Sequence, residues 1–345
     1  MGGGEKHIIS ILKVFEENGF DVTIFWDKNL SVEIKNYLKI DLSTLTFKKN
    51  IFAEKMGPIK RAFQLGQYDI FLYVTDGSYF LSRAKKNVIF CMVPQKNLYH
   101  MTLANRVKTI GARWISNSLF TKKHLSRWRI QTDVIYPYLD EVFFEKNGQK
   151  KENIILSVGR FFEHLHSKRH DITIKWFTKL QQENDEFKNY KLIIAGGLDE
   201  KDKEYFESLK NLGLNNPSIE LIPNITFNYL RDYYKKSKIY IHMAGYDIDE
   251  NTNPEMVEHL GITPLEAMAS GCITCVYRAG GPKEIITNGE NGYLFSNYEE
   301  LKNVLDLVVH NEKKNESIRD NALTFVKDNF SYEAFTARVH EVLID

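Results

Sequence analysis

The chain has 345 residues, 43% of them apolar and 26% charged, with a formal charge of +1. Such a length predicts about two domains of ordinary size, and the composition excludes a disordered, collagen-like or disulfide-built protein. No apolar run approaches the roughly 18 residues that cross a bilayer, and the start carries no charged-then-apolar leader pattern. With three cysteines, Cys91, Cys272 and Cys275, the expectation is a cytoplasmic protein with core thiols.

The chain opens on GGGEKH (2–7), a glycine-rich turn that leads into a helical pattern over 7–20. Only Met1 precedes the glycines, so the strand that should feed this loop is expected to be missing from the first sheet. A truncated start is the expectation, and a sheet that naturally lacks the strand is the alternative. Short apolar runs predict strands at 21–26, 68–74, 87–93, 113–118 and 133–138, with helical patterns between several of them. The aperiodic polar stretch EKNGQKKEN (145–153) breaks the alternation and reads as a linker. A second strand series follows at 153–159, 191–197, 219–223, 238–244 and 272–278. The tail, 330–344, repeats apolar residues at helical spacing.

Strands alternating with helices predict βαβ units, hence an α/β fold of two Rossmann-like domains with parallel sheets. The expected division is a first domain over 1–144, a linker over 145–152, a second domain over 153–328 and a C-terminal helix over 329–345 packing back on the first domain. Ligands of such sheets bind outside the carboxyl ends of the strands, so chemistry is expected in the loops there. Charge is divided unevenly: residues 1–150 hold 23 Lys/Arg against 14 Asp/Glu, and residues 151–345 hold 23 against 31. The basic half should meet an anionic partner. No zinc-finger spacing or long basic stripe points to nucleic acid; an acidic lipid surface or a phosphorylated acceptor fits better.

The richest segment is EHLGITPLEAMASGCITCVYRAGGPKEI (258–285). Thr263, Pro264 and Glu266 have the spacing of a capping box, with Thr263 as N-cap and Pro264 in the first turn. The free N–H groups of a helix start suit phosphate or sugar hydroxyls, and Gly261 lets a ligand approach the backbone. The plainer reading makes Glu266 a capping acid and Glu258 a solvated loop acid. A second glycine-rich turn, AGGPKEI (279–285), again leads into a helix with proline just inside it, so two helix starts are expected at one cleft.

In these residues the chain resembles the GT-B fold retaining glycosyltransferases of family 4, also described as glycosyl transferases group 1. Glu258 and Glu266 stand at the family's E-x7-E spacing, within its HxGI…LEAMASG context. SVGRF (157–161), SKRHD (167–171), SNSLFTKKHL (116–125), VIYPYLD (134–140), NGENGYLF (288–295) and the initial GGGEKH look like family segments in family order. The resemblance implies two Rossmann-like domains facing across a cleft, the second binding a nucleotide diphosphate sugar and the first an acceptor, either a glycan or a lipid-linked sugar. It implies transfer of a hexose with retention, without a metal or other cofactor. The segment looks somewhat like mannosyltransferases with a guanosine donor, which makes guanine the preferred base and mannose a candidate sugar, though the motifs themselves spell out neither.

By the same resemblance, Glu266 would hold the ribose, Glu258 the transferred sugar, and the backbone of Gly261, Ile262 and Thr263 the sugar and diphosphate. Gly280, Gly281 and His259 would border that site, and Gly2, Gly3 and Gly4 would supply the first domain's wall. Arg160 and Lys168 have a physical rationale of their own: the departing diphosphate gains negative charge, which preorganised cations stabilise most in the transition state. In many relatives the lysine follows the arginine more closely. Relatives acting on lipid-linked acceptors often carry a His two residues before a Pro, where this chain has Met92 before Pro94. Asp76 and His100 are candidate acceptor contacts, a turn Asp being the commoner reading.

Several other signals are weaker. Asp247 and Asp249 form an Asp-x-Asp that is not taken as a metal motif. Cys272 and Cys275 lie in an apolar run and are not taken as redox or zinc ligands. His164 and His166 lack further ligands nearby in sequence. His242 could border the sugar site or be structural. In TKKHLSRWRI (121–130), Lys122, Lys123, Arg127 and Arg129 beside Trp128 suit either a peripheral contact with an anionic membrane or a solvated helix face. Two rivals to a transferase remain: a sugar-nucleotide epimerase or hydrolase of the same fold, and a non-catalytic sugar-nucleotide-binding module.

Overall fold

The computed structural model describes residues 3–53, 56–145, 148–164 and 167–345; Gly2 and His166 lie outside them. The chain forms two compact units, residues 1–138 with 333–345, and residues 139–332.

The first unit runs α1 (Gly3–Glu17), β1 (Thr23–Phe25), α2 (Ser31–Glu33), β2 (Thr46–Lys48), α3 (Pro58–Leu65), β3 (Ile70–Val74), β4 (Lys86–Cys91), α4 (Leu103–Lys108), β5 (Arg113–Ser116), α5 (Leu119–Arg127) and β6 (Asp133–Val134). β1 and β2 pair in parallel, and β3-β4-β5-β6 form a separate parallel sheet. The run at 133–138 yields a strand of only two residues, because Pro137 has no N–H to give a ladder. α1 buries Ile9, Ile11, Val14 and Phe15, and the buried ring of His7 meets Phe90 edge-on at 4.9 Å.

The second unit runs β7 (Glu152–Val158), α6 (His170–Glu183), β8 (Lys191–Gly196), α7 (Lys203–Gly213), β9 (Ile219–Pro223), α8 (Phe227–Lys236), β10 (Ser237–His242), α9 (Ile262–Ala269), β11 (Ile273–Tyr277), α10 (Pro282–Ile285), β12 (Tyr293–Phe295), α11 (Tyr298–His310) and α12 (Glu312–Phe330). Its sheet is parallel, in the order β12-β11-β10-β7-β8-β9. Apolar runs such as Ile154–Val158 and Leu192–Ala195 are fully buried, as strands covered on both faces must be. The chain steps outward from β7 to β9 and then returns to β7's other side as β10. The strand order therefore reverses between β7 and β10, and the loops leaving these two strands flank the place where such sheets bind ligands.

Residues 139–152, which the sequence divides between a domain end and a linker, belong to the second unit. Leu139 N–H donates to Phe330 O at 2.8 Å, Phe143 meets the rings of Phe227 and Tyr234 edge-on, and Lys151 Nζ donates to Ser270 O at 2.8 Å. Apolar anchors in a polar stretch are invisible to composition. The final helix, α13 (Tyr332–Val339), and the π-helical turn His340–Ile344 lie in the first unit from Glu333 onward. There Phe335 packs on Tyr138 at 5.2 Å between ring centroids, and Lys86 Nζ donates to Ile344 O at 2.8 Å.

Candidate active site

β7 ends at Val158, and the chain turns through Gly159 and Arg160. Glycine is required at this turn: a Cβ on Gly159 would come within 2.3 Å of Lys168 Cγ, and one on Gly196 within 1.9 Å of Gly159 O. The stem of Lys168 therefore lies on the Gly159 backbone. His170, fully buried, points Nε2 at Gly159 O at 3.2 Å and holds the turn from below. Arg169, at φ 48°, grips Asp171 with two bonds of 3.0 and 3.1 Å and donates to Tyr246 O at 3.2 Å.

From β10's end, the loop 243–261 brings Glu258 onto Lys168, where ammonium and carboxylate form an ion pair with 13% and 18% of their side chains exposed. His242 Nε2 stands 3.5 Å from Glu258 Oε2. Burial by itself pushes the Glu258 carboxyl up, but Lys168 and His242 outweigh it and hold the group well below the usual range. His242 is held below its ordinary value by its own burial, so its ring is neutral at pH 7. Tyr240 continues the line: its Oη lies 3.2 Å from His242 Nδ1 and 2.9 Å from Thr263 Oγ1.

The helix start at 262 differs from the expected capping box. α9 begins at Ile262, with Gly261 as N-cap at φ 102° and no side-chain cap bond. Thr263 lies inside the first turn and its hydroxyl meets Tyr240. Glu266 Oε2 accepts from the buried Tyr234 hydroxyl at 2.8 Å. The tertiary partners took the oxygens that a local cap would have used.

Gly280 and Gly281 act through the backbone. A Cβ on Gly280 would lie 2.2 Å from Glu258 O, and one on Gly281 2.1 Å from His259 O. Gly281 N–H donates to Glu258 O at 2.7 Å. Thus the AGGP turn lies flat against residues 258–260 and fixes the chain that carries Glu258. Glu250 accepts from Gly280 N–H at 2.7 Å and pairs with Lys283, tying the long loop to the same turn. α10, which follows, is only four residues long.

Arg160 is exposed beyond the turn, its guanidinium 4.6 Å from the Phe162 ring centroid. The structure thus gathers Lys168, Glu258, His242, Thr263 and Glu266 through direct contacts or shared tyrosines, with Gly261, Ile262, His259, Gly280 and Gly281 in the adjoining backbone. Gly3 and Gly4 belong to the first unit, where a Cβ on Gly4 would meet Met92 Sδ at 3.2 Å. Asp76 accepts from Ser78 N–H at 3.0 Å, an ordinary turn. Asp249 accepts from Asn251 N–H at 3.0 Å and Thr252 Oγ1 at 3.1 Å within its own loop. Cys91, Cys272 and Cys275 are free buried thiols. Among the described residues no group of three or more His, Cys, Asp or Glu could hold a metal ion.

Sequence reading missed Tyr234, Tyr240 and His170. The tyrosines look like apolar-face residues of a helix and a strand, and nothing local marks their hydroxyls. His170 sits within the SKRHD segment already singled out, which was its only signal. Chemically, the site offers an ionised carboxylate to accept hydroxyl hydrogen bonds, and an ammonium and a guanidinium suited to phosphate.

Comparison with known proteins agrees with this architecture. Two solved structures share the fold: a glycosyltransferase from Rickettsia africae (TM-score 0.75, 16% identity, 100% of this chain and 96% of that one) and Anabaena HepE, crystallised with UDP and glucose (TM-score 0.69, 18% identity, 99% and 96%). The fold is GT-B, with a parallel α/β sheet system in each unit. Residues 140–325 match the family glycosyl transferases group 1, and the chain belongs to that family. It is similar to the mouse GDP-Man:Man(3)GlcNAc(2)-PP-Dol alpha-1,2-mannosyltransferase, at 31% identity over 48% of this chain and 34% of the relative. It is also similar to human alpha-1,3/1,6-mannosyltransferase ALG2, at 27% identity over 65% and 55% respectively. The chain therefore spans about half or less of the length of these curated relatives.

Proposed function

We propose that the protein transfers a hexose from a nucleotide diphosphate sugar to a hydroxyl of a glycan or lipid-linked acceptor, with retention at the anomeric carbon. The observation that carries this reading is the Lys168–Glu258 pair at the point where the strand order reverses. Mannose from a guanosine donor is the particular reading, supported by the names of the mannosyltransferase relatives.

In this scheme Glu258 accepts hydrogen bonds from the sugar hydroxyls. Glu266, oriented by Tyr234, presents its carboxylate to the ribose hydroxyls. Lys168 has three N–H donors, so it can keep Glu258 and still donate to a phosphate oxygen. As the sugar–phosphate bond breaks, the diphosphate leaves with the bonding pair, and Lys168 and Arg160 stabilise the charge it gains. These cations do the work a divalent metal does elsewhere, so transfer should survive chelation. The basic first unit suits an anionic acceptor and peripheral contact with the inner face of a membrane. Among the described residues no helix is long and apolar enough to cross one.

The test is a panel of nucleotide sugars, each with and without a mannoside acceptor and with and without chelator. Product linkage is read by NMR. Acceptor-dependent transfer with the donor's anomeric configuration kept is expected. Donor consumption to an epimer or free sugar without acceptor dependence, or nucleotide binding with no turnover, would replace the reading by one of its rivals.

A further inference from the structure

The first unit holds a cavity of about 590 Å³ that the proposed reaction does not use. Lys96, Arg106, Arg127 and Arg129 line it with His100, and no acidic residue is among its described lining. Tyr99 and Trp128 form an aromatic wall, stacked with centroids 5.8 Å apart and planes 23° apart. The Tyr99 hydroxyl is fixed on Val93 O at 2.7 Å. Arg106 donates Nε to Met101 O at 3.3 Å, which anchors its guanidinium beside the cavity.

Arg127 in the last turn of α5 can be explained as complementing the helix dipole. That account does not reach Lys96 or Arg106, which come from other segments. Cations gathered round one volume repel each other and favour an anion there, and the planar fork of arginine matches phosphate oxygens. A second feature adjoins the cavity. Leu103, Val107 and Ile110 recur at one-face helical spacing on and just after α4 and are 81%, 54% and 77% exposed. Arg106 and Lys108 flank them. Single exposed apolar residues are ordinary, but a stripe of three beside a basic cavity marks an interaction surface.

We propose that this is where the first unit meets a membrane, the cavity taking the phosphate headgroup of an anionic lipid while Leu103, Val107 and Ile110 enter the interface. The proposal rests on the peripheral-membrane part of the function above. It keeps Arg127, Trp128 and Arg129 of the basic stretch 121–130, adds α4 and Lys96, and leaves out Lys122 and Lys123.

The experiment is flotation of the full chain with vesicles of phosphatidylcholine alone or with phosphatidic acid, without donor, alongside titration with inorganic phosphate. Arg106→Gln with Arg129→Gln removes cavity charge, and Leu103→Ser with Val107→Ser removes the stripe. Lys122→Gln with Lys123→Gln removes charge outside both. Recovery on the acidic vesicles is expected to fall about tenfold or more in the first two pairs and far less in the third. An equal fall in all three overturns the cavity while leaving a diffuse charge contact in place. No recovery on either vesicle overturns both. Phosphate binding that the cavity pair abolishes, without vesicle recruitment, overturns the lipid assignment. Nucleotide binding by the same variants, measured separately, tells failure of this surface from failure of the transferase reading.

Discussion

Tyr234 donates its hydroxyl to one oxygen of Glu266 at 2.8 Å, across from the end of α8 to the first turns of α9. Burial, with the nearby Glu266 charge, holds the phenol well above its ordinary value, so it stays a donor. The bond fixes the orientation of the carboxylate. In Tyr234→Phe, that orientation is lost without removing the carboxylate. The expected result is a donor KM raised about tenfold, the worth of one hydrogen bond to a charged group, with kcat little changed. Steady-state kinetics with varied donor would check it, and an unchanged KM would remove Tyr234 from the positioning role.

Glu258→Gln keeps the shape of the side chain and deletes its charge. If the carboxylate meets the sugar, turnover should drop by about 10²–10³, the scale of losing one preorganised polar group in an active site. Near-native far-UV circular dichroism would show that the fold persists. Full activity in the variant would detach Glu258 from the chemistry.

The AGGP turn gives a stability prediction. Gly281 has φ −63°, where any residue is at ease, so the penalty of Gly281→Ala comes from overlap of the new methyl with the His259–Leu260 backbone. The expected loss is about 3 kcal/mol or more, read by denaturant titration. Gly289→Ala, at φ 78° with open space around it, should lose only about 1–2 kcal/mol from backbone strain.

Buried neutral histidines set a pH dependence. Burial lowers His170 to about 4 and His7 to about 3, from 6.5 when unfolded. Below pH 6.5 the unfolded chain binds protons that these side chains refuse in the folded one. Stability therefore falls as pH drops from 6.5 towards 4, by at most about 1.4 kcal/mol per pH unit for each such histidine. Denaturant unfolding at pH 7 and pH 5 should show it, and His170→Gln should flatten the slope for the second unit. A slope unchanged by that substitution would contradict the burial argument.

Most strands were legible because a fully buried parallel strand is a continuous apolar run, as at 153–159 and 191–197. β2 and β12 were missed because each is three residues long and neither sits in a longer apolar run such as the one at 21–26 that holds β1. The Glu258 and Glu266 spacing and the Arg160 turn were legible because loops at strand ends hold their motif residues close in sequence. Gly280 and Gly281 were read as bordering the substrate; that their turn also packs on the backbone of residues 258–260 and ties Gly280 N–H to Glu250 is something no motif states. The capping-box reading of Thr263 failed for a related reason: local rules compete with tertiary partners, and Tyr240 and Tyr234 reached the two side chains first.

Read alone, the order of residues settled the α/β class, the family likeness and the loops in which chemistry should sit, since these depend on patterns within a few turns of chain. Only three-dimensional packing decided that Lys168 rests on Glu258, that two buried tyrosines orient the helix start, and that residues 139–152 join the second unit. Those outcomes depend on which distant groups share a low-dielectric interior, and separation along the chain carries no record of that.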